Sequence, residues 1–93
     1  MRRDVEVLNE LGLHARPAAE FVRACQKFEC EVMIWREEDC YSAASILEVL
    51  SANLDCGARI TLEAIGSDAE MALDRLCRLL EEFREQEEQY GTR

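Results

Sequence analysis

Ninety-three residues carrying twenty acidic and eleven basic side chains are expected to make one small domain with a net charge of −9, which disfavours binding to a nucleic-acid backbone. A composition that is 48% hydrophobic and 33% charged excludes a disordered acidic chain, and no run approaches the ~18 apolar residues of a membrane span. The opening MRRDVEVLNE lacks the continuous apolar stretch of a secretory signal, so a cytoplasmic location is expected.

Val5 and Val7 alternate with charged neighbours and predict a strand over residues 3–8. Ala18, Phe21, Val22 and Cys25 recur at helical spacing and predict a helix over 15–27. CEVMIWR (30–36) and a short run around Cys40 to Ala43 flank three acidic residues, which reads as a hairpin without the usual Asn-Gly signal. Ser45 and Glu48 are spaced as a capping box before a short second helix that ends before Gly57. Alternation resumes in RITLEAI, giving a fourth strand over about 58–64. Ser67 and Glu70 repeat the box, and Ala72, Leu76, Leu79, Leu80 and Phe83 stripe a long third helix. Beyond Glu85 the apolar face ends, so residues 86–93 are expected to form a frayed polar acidic tail.

The order is therefore β-α-β-β-α-β-α. An α+β sandwich, with three helices on one face of a largely antiparallel four-stranded sheet, buries these stripes most simply. The five cysteines, Cys25, Cys30, Cys40, Cys56 and Cys77, are odd in number and lack metal-ligand spacing. Buried free thiols are expected of them, with no metal and no cofactor.

The only histidine, His14, lies in GLHARPAA (12–19), between the first strand and the first helix. Gly12 permits close backbone approach, and Pro17 suits a first helical turn, where amides lack intrahelical partners. A helix starting near His14 presents N–H donors and partial positive charge, which favour a phosphate and disfavour an imidazolium. His14 is thus expected to act as a neutral nucleophile toward phosphorus. The amides around His14, Ala15 and Arg16 would hold the anion, with the Arg16 guanidinium neutralising its charge. An arbitrary His and Arg would be a turn residue and a solvated charge; here Gly, His, Arg and Pro together make an anion cradle beside a nucleophile. A single histidine builds neither a triad nor a His-rich metal site.

GLHARPAA resembles the active-site motif of the histidine-containing phosphocarrier (HPr) family of the bacterial phosphoenolpyruvate-dependent sugar phosphotransferase system. The resemblance spans roughly residues 3–85 and includes SAASILEVL (42–50), Gly57 and the Gly-x-Asp at 66–68. It implies an open-faced β-sandwich over residues 1–85 that is a carrier rather than an enzyme. By this resemblance His14 matches the transiently phosphorylated histidine, Arg16 the arginine beside it, and Ser45 the regulatory serine of some members. The family accepts phosphate from phospho-enzyme I and passes it to the IIA domain of a sugar permease. An HPr kinase/phosphorylase would act at Ser45, although this chain reads Ser42, Ala43, Ala44, Ser45 where the family often has Asn-Ala-Lys-Ser.

Arg23 and Lys27 are the basic residues of the first helix available to acidic partners, and Ile46, Leu47 and Leu50 form a candidate docking patch on the second. Of these, Ile46 and Leu50 suit a core position better than Leu47. A monomer without membrane insertion is expected. The alternative is a regulatory binding module that meets partners through the second helix without sugar transport.

Overall fold

A computed structural model describes the backbone of residues 1–91 and the side chains of residues 1–86. The elements are β1 (Arg2–Glu6), α1 (Ala15–Gln26), β2 (Glu31–Arg36), β3 (Asp39–Ser42), α2 (Ile46–Ser51), β4 (Arg59–Ile65) and α3 (Ala69–Gly91). All strand pairings are antiparallel, in the order β1-β4-β2-β3. The predicted α+β architecture and element order are therefore present, and the sheet is wholly antiparallel.

Two-residue periodicity sets the faces of this sheet. Val32 and Ile34 of β2 and Ile60, Leu62 and Ala64 of β4 point into the core, meeting Phe21 and Val22 of α1, Val49 of α2, and Leu73, Leu76 and Leu80 of α3. Ile34 pairs with Leu62, and Leu62 with Arg3 of β1. A slip of one residue would turn Thr61 and Glu63 inward, at a cost that pins the register. The opposite face is open: Trp35 donates its Nε1–H to Glu63 at 2.8 Å, and Arg2 lies over the Trp35 ring at 5.6 Å. Arg3 closes β1 against α3 through a 2.6 Å bond to Asp74.

Several boundaries differ from the pattern-based reading. The first strand ends at Glu6 rather than residue 8, because Val7 leaves the regular ladder and bonds instead to Ala58 and Gly57 (2.9 and 2.8 Å). The hairpin between β2 and β3 closes on Glu37 and Glu38, with Glu37 in the left-handed region at φ 55°. No glycine is spent there, so the turn carries a conformational cost of about 1 kcal/mol.

The Ser67–Glu70 box is displaced. The first helical bond of α3 runs from the Ala72 N–H to the Asp68 carbonyl, which puts Asp68 at the capping position. Its carboxylate accepts the N–H groups of Glu29 and Cys30, both at 2.9 Å. These bonds depress the Asp68 pKa and tie the start of α3 to the turn after α1. At the other end, α3 continues through Gly91, past the point where a polar tail was expected to leave it. Glu and Gln are good helix formers, so loss of an apolar face need not end the backbone helix. Thr92 and Arg93 lie outside the described residues.

Candidate functional site

The loop before α1 is built to present residue 14. Gly12 donates its N–H to the Asn9 carbonyl at 3.0 Å, and the buried Asn9 amide donates back to the Gly12 carbonyl at 2.7 Å. Gly12 has φ +67°, and a Cβ there would lie 2.5 Å from the Leu54 carbonyl oxygen. Leu13 is buried and donates its N–H to that same oxygen at 2.9 Å. The segment after α2 thus braces the loop from below. It is held in turn by Arg36, whose guanidinium donates to the carbonyls of Ala52 (2.6 Å) and Asn53, a cation at the C-terminal end of α2.

This scaffold delivers His14 to the capping position of α1, where its carbonyl accepts the Ala18 N–H at 2.8 Å. The imidazole takes no part in capping and is exposed to solvent. Ala15 and Arg16 begin the helix, and Pro17 follows where no amide hydrogen is required. No acidic side chain occupies the first turn, so its positive end faces outward beside the His14 ring. A ring nitrogen beside the backbone donors of a helix start has the geometry to accept a phosphoryl group and spread its charge over those donors.

Arg16, the second residue of α1, pairs along the helix. Its guanidinium Nε lies 3.6 Å from Glu20 Oε2, and its side chain is 81% exposed. Arg23 and Lys27 are also exposed on α1.

On α2 only Val49 is buried. Ile46 and Leu50 are 36% and 39% exposed and Leu47 is 77% exposed, so all three reach solvent, and the first two less than Leu47, in the order expected. A six-residue helix lying on the bundle has one position to bury. Gln26 Nε2 donates to the Ala44 carbonyl at 3.2 Å and joins this patch to α1.

Ser45 caps α2, its hydroxyl accepting the Glu48 N–H at 3.4 Å. The reciprocal half of the box goes elsewhere: Glu48 Oε1 accepts the Ser42 N–H at 2.8 Å. The Ser45 N–H meets the Ser42 carbonyl instead.

Burial also divides the cysteines. Cys25 and Cys30 are buried, and burial pushes the Cys25 thiol up to about 12, but Cys77 is half-buried and Cys40 and Cys56 are exposed. The expectation of five buried thiols is thereby corrected: Cys40 lies on edge strand β3 and Cys56 in the turn before β4. Among the described residues no three His, Cys, Asp or Glu side chains are grouped to hold a metal ion.

Sequence reasoning passed over Asn9 and Leu11. Asn three residues before Gly was the available sign of the turn that Asn9 closes. Leu11, 66% exposed on the same loop, had no periodic partner to announce it.

Fold and site together define a small open-faced sandwich that offers one accessible histidine at a helix start. The chain matches the family described as "PTS HPr component phosphorylation site" over residues 1–82. It therefore belongs to the HPr family, the phosphocarrier proteins of the phosphotransferase system. It is 45% identical over 78 residues to phosphocarrier protein HPr of Haloferax volcanii, covering 82% of this chain and 88% of that one. Phosphocarrier protein NPr of Shewanella violacea is 40% identical over 81 residues, 87% of this chain and 89% of the relative. The crystal structure of HPr-C-His from Thermoanaerobacter tengcongensis superposes with a TM-score of 0.86 at 33% identity, covering 90% of this chain and 94% of that chain.

Proposed function

We propose that this protein carries a phosphoryl group on His14, accepting it from phospho-enzyme I and delivering it to a sugar-permease IIA domain in the cytoplasm. The observation that carries this reading is the exposed His14 imidazole, unused in capping, beside a helix start whose own first turn carries no acidic residue. In the step itself a His14 ring nitrogen attacks phosphorus, a P–N bond forms, and the bond to the donor breaks as the donor takes its electron pair. The amides of Ala15 and Arg16 receive the phosphoryl oxygens, and the Arg16 guanidinium joins them on leaving Glu20. The protein is modified and discharged in each cycle, and so acts as a carrier rather than an enzyme.

Arg23 and Lys27 supply positive charge toward acidic partners, and Ile46, Leu47 and Leu50 supply apolar contact. Local charge governs the docking despite the net −9, since charges beyond about 8 Å are largely screened at physiological salt. Ser45 is the residue at which an HPr kinase/phosphorylase would act, adding negative charge within this patch. We assign residues 1–85 to the carrier unit, working as a monomer.

Incubation with phosphoenolpyruvate and enzyme I, followed by intact mass under alkaline conditions, tests the reading. The parent gains one phosphoryl group and His14→Ala gains none; acid-labile label on the variant refutes the assignment. The exposure of Leu47 beside Ser45 supports a second reading, a regulatory module binding through α2. Binding that survives His14→Ala and fails in Leu47→Asp, with no phosphoryl transfer by the parent, would favour it.

A further inference from the structure

Arg16 occupies the first turn of α1, where the helix's own positive end opposes a cation. One turn on, Glu20 offers a carboxylate at the i+4 position, and the guanidinium reaches it at 3.6 Å. The two partners are unequally held: the Glu20 side chain is 35% exposed and the Arg16 side chain 81%. Glu20 is therefore the better-anchored end, and Arg16 the end that moves.

Glu20 lies six positions after His14, a rise of about 9 Å along the helix. An arginine between them can lean toward either end, and the rise that separates the two ends sets them in competition for its reach. We propose that Glu20 is a positioning residue that parks Arg16 while His14 is unmodified, and competes with the phosphoryl group for that guanidinium. The inference rests on the carrier reading of His14 and adds a consequence to it. Drawing Arg16 onto the phosphoryl group breaks the Glu20 pair, so Glu20 loosens the hold on phosphate and favours its onward transfer. An exposed i,i+4 pair of this kind changes an equilibrium by about twofold.

Potassium phosphoramidate tests this without any protein partner: its P–N bond breaks, a P–N bond to a His14 ring nitrogen forms, and ammonia leaves with the electron pair. At a fixed ratio of phosphoramidate to ammonia and low ionic strength, ³¹P NMR gives the ratio of phosphorylated to free His14. Glu20→Gln is expected to raise that ratio about twofold, and 1 M salt to abolish the gain. In an Arg16→Ala background Glu20→Gln should change nothing. The Arg16 Nε–H resonance should differ between unmodified parent and unmodified Glu20→Gln, and the two should converge on phosphorylation.

An unchanged ratio in Glu20→Gln, or an equal gain without Arg16, overturns the proposal. Failure of phosphoramidate to label His14 in the parent overturns it together with the carrier reading. Labelling by phosphoramidate but not by phospho-enzyme I overturns the partner assignment alone.

Discussion

The Gly12→Ala substitution places a methyl group 2.5 Å from the Leu54 carbonyl oxygen and 2.8 Å from the Asp55 Cα, on a backbone with φ +67°. The left-handed conformation costs a residue with a side chain about 1–2 kcal/mol. Backbone atoms must also move aside, an overpacking penalty of about 1–3 kcal/mol. The sum, about 2–5 kcal/mol, is a large part of the stability of a domain this size and corresponds to a fall in melting temperature of about 10–30 °C. Gly57→Ala serves as the control, because φ there is +90° while nothing lies within 4 Å of the new methyl group. It should lose only the conformational part, about 1–2 kcal/mol.

Urea unfolding of both variants, with His14 labelling by phosphoenolpyruvate and enzyme I, separates the contributions. The Gly12 variant should also label slowly where it remains folded, since the Leu13–Leu54 bond that aims His14 is disturbed. Equal destabilisation of the two variants would refute the steric argument. A Gly12 variant within about 0.5 kcal/mol of the parent would refute the bracing role of the Leu54 segment.

Arg16→Ala should slow phosphoryl transfer strongly, while thermal unfolding shows a melting temperature close to the parent's, because an exposed i,i+4 pair contributes little stability. Ser45→Ala should lose about 0.5–1 kcal/mol by chemical unfolding, at the low end for a cap because its bond to Glu48 is 3.4 Å long. Asp68 is held below its usual pKa, first by the Glu29 N–H, so the native state binds fewer protons than the unfolded chain. Its contribution is present above the unfolded carboxylate value, about 4, and is lost as pH falls through the depressed native value. Asp68→Asn should therefore melt below the parent at pH 7, with the difference shrinking as melting is repeated at progressively lower pH below 4.

How much of this was legible depended on the range of the interactions involved. Strand β4 could be read because Ile60, Leu62 and Ala64 alternate cleanly with Arg59, Thr61 and Glu63, a pattern with one solution on a half-buried sheet. The His14 loop could be read because glycine and proline each permit few backbone conformations. Position 68 could not, since its carboxylate answers two amides some forty residues away rather than its own helix. The hairpin turn carried no signal because Glu37 adopts a conformation its side chain does not favour. The spacing of Arg16 and Glu20 was visible, but whether the guanidinium faces residue 14 or residue 20 is a rotamer choice that no periodicity encodes. The exposure of Ile46, Leu47 and Leu50 could be read because a helix of six residues is too short to hide every apolar side chain it carries.

The order of strands across the sheet also sets a timetable for synthesis. β1 is an edge strand whose neighbour is β4, the last strand to be made, and β4 sits between β1 and β2. A nascent chain that has finished β1, α1 and the β2–β3 hairpin still has a gap in the middle of its sheet. Residues 2–6 then wait for more than fifty residues of later chain, with Arg2, Arg3, Asp4 and Glu6 keeping the waiting segment charged. Release of residues 59–65 closes both halves at once, so the domain forms in one late step rather than growing strand by strand. A chain stopped after Ala58 should accordingly show no protection of the amides of residues 2–6 in hydrogen exchange, and protection there would contradict this sequence of events.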